Sequence, residues 1–352
     1  MSLKGKILEV LLQKKIHEPI NHKEIHKILL IRNARIGDAI CAFPLLRELK
    51  NGFPDAEIDV YASHHSDFLF KKLSYVKNIF TKFRKKDFYK TWSQIRLMKS
   101  RKYDLIIEAM PMKFGLELSV WYMKPRWIIS LSVSDGDQKL DICRDDLTYY
   151  DALMPKNNNQ HMVRYLCGML PLIGIYNYST KMEFPKDDKK YIYAQQFISK
   201  LPLGKKIALN VDSSSLTRNL YKEQIIQLAN ALKNYTIIIL SLPTRQTEIK
   251  KIIQNYNLKN CILSYPTKTI FDAAELLRSC NLLISPDTSL IHIASALDLP
   301  TIGIYRNNDD HINLWKPLSS IHYVVRSSVD GYNTIEGFDI HEVASIADKI
   351  LC

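Results

Sequence analysis

Short runs of Ile, Leu and Val alternate along the chain with stretches whose apolar residues recur every three or four positions. The first run, residues 28–31, predicts a buried strand. A helix to about residue 50 follows it, with an apolar side formed by Ile40, Phe43, Leu46 and Leu49. Pro44 predicts a stop or kink in this helix, and residues 57–62 predict the next strand. Together these elements form a βαβ unit.

The same alternation continues to residue 305. Further strands are predicted at 103–109, 206–211, 236–242, 261–263, 281–285 and 300–305. Further helices are predicted at 88–102, 114–123 and 222–233, and from Thr247, Ile270 and Asp287 onward. Uninterrupted apolar strands separated by amphipathic helices are typical of parallel sheets covered on both faces. The sequence therefore predicts an α/β fold with two doubly wound parallel-sheet domains.

A polar segment between residues 174 and 190 separates the two series. We predict an N-terminal domain over 1–175 and a C-terminal domain over 176–335. Residues 336–352 predict a C-terminal helix that is able to pack back on the N-terminal domain.

Composition narrows the class of protein. The 352 residues are 46% hydrophobic and 24% charged, which excludes a disordered or collagen-like chain. The six cysteines form no C-x-x-C pair, so we expect reduced thiols and no zinc or iron–sulfur site. Charges interrupt the N-terminus and no apolar run reaches about 18 residues, which predicts neither a signal peptide nor a membrane span. The net charge of +13 indicates an anionic partner, whether nucleic acid, a phosphorylated ligand or an acidic membrane.

The loop after the first strand is a candidate site, because ligands of open parallel sheets bind beyond the carboxyl ends of strands. The segment Asn33-Ala34-Arg35-Ile36-Gly37-Asp38 places a glycine, where the backbone can approach a ligand, before a carboxylate. Asp38 could equally be the N-cap of the next helix. A single glycine does not make a dinucleotide-binding fingerprint.

A second candidate follows the strand at 281–285. Asp287, Thr288, Ser289 and Leu290 open a helix whose unpaired N–H groups and dipole suit a phosphate or diphosphate. The alternative is a simple cap by Asp or Ser, with His292 as a half-buried side chain.

A third candidate follows the strand at 206–211. Ser213 and Ser214 offer hydroxyls, and Arg218 offers a guanidinium suited to two-pronged contact with phosphate oxygens. A hydroxyl-rich loop can also be a plain turn. Glu248, just beyond the strand at 236–242, could accept hydrogen bonds from ribose hydroxyls or simply suit the helix dipole.

Residues 28–62 and 282–305 together resemble the two signature stretches of glycosyltransferase family 9, the ADP-heptose:lipopolysaccharide heptosyltransferases. The resemblance implies the GT-B architecture, with two Rossmann-like domains and a cleft between them. It also implies that the acceptor binds the N-terminal domain, that the nucleotide sugar binds the C-terminal domain, and that the anomeric carbon is inverted without a metal ion or cofactor.

The resemblance also implies roles for the candidate residues. Asp38 matches the catalytic carboxylate of a Gly-Asp motif, with Arg35 and Gly37 on the acceptor side. The donor-binding residues that it implies are Ser213, Ser214, Arg218, Glu248, Asp287, Thr288, Ser289 and Leu290. The chain departs from the family pattern at Ser289, which replaces a glycine, and at Leu220-Tyr221, which replaces Trp-Pro. About 26 residues precede the first strand.

We therefore predict a cytoplasmic heptosyltransferase that transfers heptose from ADP-heptose to the Kdo-lipid A inner core of lipopolysaccharide or lipooligosaccharide. Asp135-Gly136-Asp137 is interpreted as a turn rather than a metal motif. The basic residues between 71 and 102 would face an anionic glycolipid at the inner face of the cytoplasmic membrane. The alternatives are a GT-B transferase for another nucleotide sugar, a sugar-nucleotide epimerase, and a basic nucleic-acid-binding protein.

Overall fold

A computed structural model describes residues 2–13, 17–132, 142–155, 159–330 and 334–352. The chain divides into two compact units, Met1–Lys181 (unit 1) and Met182–Cys352 (unit 2). The division falls inside the polar segment at 174–190, after residue 181 rather than after residue 175. Within the described ranges, none of the helices combines the length and apolar character needed to span a bilayer.

Unit 1 is built on a six-stranded parallel sheet with the strand order β3-β2-β1-β4-β5-β6. Its described elements are α1 (Leu3–Leu11), β1 (Lys27–Arg32), α2 (Ile36–Ile40), α3 (Phe43–Gly52), β2 (Glu57–Ser63), α4 (Asp67–Phe70), β3 (Asn78–Lys82), α5 (Phe88–Arg101), β4 (Leu105–Glu108), α6 (Phe114–Met123), β5 (Trp127–Leu131), β6 (Ala152–Met154) and α7 (Met162–Cys167).

Unit 2 repeats the plan with a second six-stranded parallel sheet of order β12-β11-β10-β7-β8-β9. Its described elements are α8 (Asp188–Ile198), β7 (Lys206–Asn210), α9 (Lys222–Ala231), β8 (Thr236–Leu240), α10 (Gln246–Asn255), β9 (Cys261–Leu263), α11 (Ile270–Leu277), β10 (Leu282–Pro286), α12 (Ser289–Ala296), β11 (Thr301–Asn307), α13 (Asp309–Trp315), β12 (His322–Asp330) and α14 (Ile340–Leu351).

The predicted α/β class and the central strands are confirmed. The residues of β1 from Ile28 to Ile31 are fully buried, as expected of a strand covered on both faces. The helix predicted to break at Pro44 is two helices, α2 and α3, and Pro44 lies in the first turn of α3, where its missing N–H costs nothing.

The C-terminal helix, α14, packs on the core of unit 2. Val343, Ala347 and Leu351 recur every four residues on one side of α14. All three are buried in the core of unit 2 with Ile225 and Leu228 of α9. The apolar stripe explains this placement, because the sheet of unit 2 leaves a matching apolar face beside α9.

Each sheet reverses its strand order once, and this reversal positions the candidate sites. In unit 1 the chain runs outward from β1 to β3 and then returns to β4 on the other side of β1. In unit 2 the same reversal separates β7 from β10. The loops after these four strands diverge on opposite faces of the sheet, which opens a crevice at the carboxyl edge.

A fully buried ionic cluster lies under the carboxyl edge of unit 1. Arg144 donates from Nη2 to Glu108 Oε2 at 2.7 Å and to Glu117 Oε1 at 2.9 Å. Tyr150 donates its hydroxyl to Glu117. Burial, together with the charge of Glu117, raises the pKa of Glu108 to about 8 even though Arg144 opposes the shift. One guanidinium therefore serves two buried carboxyl groups, and burial favours the protonated form of Glu108.

We expect Arg144→Ala to destabilise the protein by about 3–5 kcal/mol, because it leaves two buried acidic groups without their cation. Urea denaturation followed by circular dichroism measures this change. Arg126→Ala is the matched control, since Arg126 pairs with Glu18 and Glu24 but its side chain is 44% exposed. It should change the unfolding free energy far less. Equal losses in the two variants would contradict the role given to the buried cluster.

Candidate active site

Asn210 links β7 and β10, the two strands that border the crevice of unit 2. This last residue of β7 donates from Nδ2 to Ser285 Oγ on β10 at 2.9 Å and to Thr288 Oγ1 at 3.2 Å. It also donates to the carbonyl of Asp212 at 3.0 Å. The loops after β7 and β10 are thus held in one arrangement.

Arg218 and Asp287 come together at this crevice, as their places after neighbouring strands predict. Arg218 donates from Nη1 to Asp287 Oδ2 at 2.7 Å and to the carbonyl of Asp287 at 3.2 Å. Its Nη2 lies 3.4 Å from Ser214 Oγ, and its Nε is buried with no hydrogen-bond partner within the described residues. The ion pair fixes the direction of the guanidinium while leaving part of its donor capacity unused.

His311 of α13 is a second basic partner of Asp287 that the sequence analysis missed. Its Nε2 lies 2.7 Å from Asp287 Oδ2, the oxygen that also receives Arg218. Burial alone would raise the pKa of Asp287, but the hydrogen bond and charge of His311 and the charge of Arg218 lower it overall. Asp287 is therefore an ionised group that organises two basic side chains.

Helix α12 begins beside this cluster. Its N-cap is Thr288, whose Oγ1 accepts from the Leu290 N–H at 3.3 Å, so the cap is neither Asp287 nor Ser289. Ser289 is the first helical residue. His292 is buried and meets Trp315 edge to face at 5.8 Å between ring centroids. The first turn of α12 directs backbone N–H groups and the positive end of the helix dipole toward the crevice.

The Ser213 side chain stabilises the loop in which it lies. Its Oγ accepts from the Ser215 N–H at 3.0 Å and lies 3.2 Å from the Ser215 carbonyl, which is the pattern of a hydroxyl-stabilised turn. The Ser213 N–H donates to Asn219 Oδ1 at 2.7 Å. Ser214 is exposed and is the serine that reaches Arg218.

Glu248 lies in the first turn of α10, which follows β8, the strand next to β7. Arg245 donates two hydrogen bonds to the Glu248 carboxylate, from Nε at 3.1 Å and from Nη2 at 2.8 Å. These hydrogen bonds lower the pKa of Glu248. The same Arg245 also pairs with Asp212. About half of the Glu248 side chain, 53%, remains exposed, so a carboxylate of fixed direction faces solvent.

Asp38 of unit 1 is the third residue of α2, not its N-cap. The N-cap is Arg35, which makes no side-chain capping bond. Gly37 precedes Asp38 as the second helical residue and accepts from the Cys41 N–H at 3.2 Å. Asp38 is half-buried beside the buried Arg32, which donates from Nε to the Asp38 carbonyl at 3.2 Å. The capping explanation for Asp38 is therefore wrong, although an acidic group in the first turn still suits the helix dipole.

Cationic side chains gather at the same carboxyl edge, after β2 and β3. The rings of His64 and His65 lie 3.8 Å apart, and Arg84 donates from Nε to His64 Nε2 at 3.2 Å. Burial, followed by the charges of His64, Arg84 and Arg35, lowers the pKa of His65. Positive charge from Arg84 and Arg35 thus surrounds His65, and a bound anion would offset that charge.

Lys82 and Lys113 extend this cationic edge. Burial and the charge of Lys113 lower the pKa of Lys82. Asn33, directly after β1, has both amide atoms buried without a hydrogen-bond partner among the described residues. The histidines, Lys113 and Asn33 stand just after strand ends, and that position is the signal by which the sequence could have singled them out.

In the part of the chain that the structure describes, no three His, Cys, Asp or Glu side chains converge in a way that could hold a metal ion. Asp135-Gly136-Asp137, interpreted above as a turn, lies outside the described residues.

Solved structures share this architecture. A family 9 glycosyl transferase from Veillonella parvula DSM 2008 aligns with a TM-score of 0.77 at 15% identity, covering 96% of this chain and 99% of that one. E. coli ADP-heptose LPS heptosyltransferase II aligns with a TM-score of 0.70 at 17% identity, covering 92% and 98%. E. coli heptosyltransferase WaaC with ADP aligns with a TM-score of 0.66 at 16% identity, covering 92% and 99%. The two six-stranded parallel sheets thus match GT-B heptosyltransferase structures.

The sequence itself matches one family model over residues 92–336, which is more than half of the chain. That model is described as glycosyltransferase family 9 (heptosyltransferase). The chain therefore belongs to glycosyltransferase family 9 and is a glycosyltransferase.

Proposed function

We propose that this enzyme transfers heptose from ADP-heptose to the Kdo-lipid A inner core of lipopolysaccharide or lipooligosaccharide, with inversion at the anomeric carbon and without a metal ion. The observation that carries the proposal is the pairing of Arg218 with Asp287 beside the first turn of α12. This arrangement offers a guanidinium and helix N–H groups to a diphosphate. The names of two similar structures, which mention ADP or ADP-heptose, support the choice of donor.

In this proposal the groups around the crevice of unit 2 neutralise the charge of the donor diphosphate, a role that a metal ion would otherwise have. Arg218 contributes its unused donors, and Ser214 and the Ser289 N–H contribute neutral hydrogen bonds, while the Leu290 N–H donates to the Thr288 cap. His311 helps Asp287 to hold the guanidinium in place. Because these groups are fixed before the reaction, they stabilise the charge that develops on the departing ADP.

Glu248 would bind the ribose. Arg245 fixes its carboxylate, and an ionised carboxylate accepts hydrogen bonds from two adjacent hydroxyls. The serine at position 289 adds a side chain where the family has glycine, and the alternative is a GT-B transferase for another nucleotide sugar.

Asp38 would act as the general base. The acceptor hydroxyl oxygen attacks the anomeric carbon of the heptose from the face opposite the diphosphate. The bond from the anomeric carbon to the phosphate oxygen breaks, and its electron pair leaves with ADP. Asp38 takes the hydroxyl proton as the new C–O bond forms. Arg32, which lies beside Asp38, keeps positive charge close to this carboxylate.

The cationic edge of unit 1 would bind the acceptor, with Arg35, His64, His65 and Arg84 facing its carboxylate or phosphate groups. An anionic glycolipid suits this surface because it would balance the positive charges of Arg35 and Arg84. Such an acceptor would also bring the enzyme to the inner face of the cytoplasmic membrane.

We expect Asp38→Asn to lower kcat by about 10²–10⁴-fold, because the amide keeps the shape of the side chain but cannot take the proton. ADP affinity should stay the same. Asp67→Asn is the matched control, since Asp67 is a first-turn carboxylate of α4 in the same unit. Both variants are assayed for ADP release that requires acceptor, and ADP binding is measured by calorimetry. If Asp38→Asn folds, binds ADP and still transfers at the wild-type rate, Asp38 is only a favourable first-turn residue.

We expect Arg218→Gln to weaken ADP binding by about tenfold to a hundredfold, because a charged hydrogen bond to phosphate contributes about 1.5–3 kcal/mol. Calorimetry with and without EDTA measures it, and chelation should leave the wild-type affinity unchanged. Arg326→Gln is the control, since Arg326 pairs with Asp309 at 2.7 Å on the surface of unit 2 and is 46% exposed. A wild-type affinity that collapses in EDTA would refute the metal-free diphosphate site.

A further inference from the structure

The surplus of positive charge is concentrated in one segment of unit 1. Residues 71–102 contain twelve Lys and Arg and a single acidic residue, Asp87, so this segment carries a net charge of +11 of the +13 in the whole chain. Lys85, Lys86 and Arg96 are exposed, and Asp87 already pairs with Lys90 at 3.2 Å. A concentration of this kind creates a local positive potential that a uniformly distributed charge would not.

The same segment exposes large apolar side chains. Helix α5 buries Ile95 and Met98 against the unit. Its outer side presents Phe88 at 71%, Tyr89 at 58% and Trp92 at 46% exposure. Aromatic rings exposed within a field of lysines are typical of surfaces that enter the interface of a membrane, where rings contact acyl chains and cations contact headgroups.

Neighbouring helices extend this surface. Trp92 lies 5.1 Å from Tyr122 of α6 between ring centroids, and Lys99 Nζ lies 3.6 Å from the centre of the same Tyr122 ring. On the other side of α6, Lys4 of α1 lies 5.6 Å from the Phe114 ring. Helix α1 also exposes Leu3 at 76%. The outer side of α5, with the adjoining sides of α6 and α1, forms what we name the basic-aromatic face.

This face begins at the edge where the reaction is proposed to occur. The chain leaves the carboxyl end of β3 at Lys82 and enters α5 at Phe88. Asp38 follows the carboxyl end of β1, in the same parallel sheet. Because the strands are parallel, the first turn of α5 and the loop that carries Asp38 lie at one edge of unit 1.

We propose that the basic-aromatic face docks on an anionic phospholipid bilayer, with Phe88, Tyr89 and Trp92 entering the interface and Lys85 and Lys86 contacting lipid phosphates. The proposal rests on the proposed function in so far as a lipid-linked acceptor requires the enzyme to work at a membrane. Docking there brings the cationic edge of unit 1 close to the headgroup region.

The observations favour a bilayer over nucleic acid. Exposed aliphatic side chains such as Leu3 and Leu97 match acyl chains and have no counterpart in a phosphate backbone.

The test measures sedimentation of the full chain with vesicles rich in phosphatidylglycerol and with vesicles of phosphatidylcholine alone. We expect wild-type protein to bind only the anionic vesicles, with binding weakened by salt. Lys85→Glu/Lys86→Glu should weaken binding by at least about tenfold, because each cation near an anionic surface adds to the attraction. Phe88→Ser/Tyr89→Ser should weaken it by about threefold to tenfold. Trp92→Phe should lose the blue shift of tryptophan fluorescence that vesicles cause.

The matched controls change the same residue types on unit 2. Lys200→Glu/Lys205→Glu reverses two exposed lysines, and Ile192→Ser/Leu203→Ser removes apolar side chains that are 57% and 100% exposed. Both should bind anionic vesicles as the wild type does. The Phe88→Ser/Tyr89→Ser variant should also transfer heptose to a delipidated acceptor at the wild-type rate. This result would show that the active site of the variant is intact.

Three outcomes would overturn the proposal. In the first, the wild-type protein does not bind anionic vesicles. In the second, the variants of the basic-aromatic face bind vesicles as tightly as the wild type. In the third, these variants lose binding to duplex or single-stranded nucleic acid while their vesicle binding persists. Wild-type protein that binds vesicles but transfers no heptose to any acceptor would instead refute the proposed function and leave the membrane face standing.

Discussion

A parallel sheet brings the carboxyl ends of all its strands to one edge, and the rest of this molecule depends on that constraint. In each unit the strand order reverses once, between β1 and β4 and between β7 and β10. The loops that leave these strands diverge, so their side chains surround a crevice. Asn210 shows how closely the two loops of unit 2 are coupled, since one amide bonds to groups on both.

Charge is organised differently in the two units. In unit 2 one ionised carboxylate, Asp287, holds Arg218 and His311, and the cluster is adjacent to the positive end of α12. In the proposed function, a diphosphate at this cluster would gain a fixed guanidinium and N–H groups, which would stabilise its charge without a metal ion. In unit 1, burial and nearby positive charge lower the pKa values of His65 and Lys82 at the carboxyl edge. Such a surface is suited to bind an anion.

The buried cluster of Arg144 with Glu108 and Glu117 has a supporting role. It ties the segment around residue 144 to β4 and α6, both of which contribute to the carboxyl edge. Its members are fully buried and depend on one another for their hydrogen bonds and charge balance.

The sequence by itself determined the fold class, the central strands and the places where chemistry could occur. Strands such as β1 and β7 are apolar on both faces, and that signal is contained in a few consecutive residues. The half-exposed edge strand β3 was missed because its burial pattern is mixed, and β5, β6 and β12 were also missed. Only the tertiary structure decided that His311 supports Asp287, that Arg245 holds Glu248, and that α14 belongs to unit 2. These contacts join groups from different elements or select among several matching apolar faces, and no local pattern of residues encodes the distance between two side chains. Periodicity reports which face of an element is buried, whereas packing alone decides what that face meets.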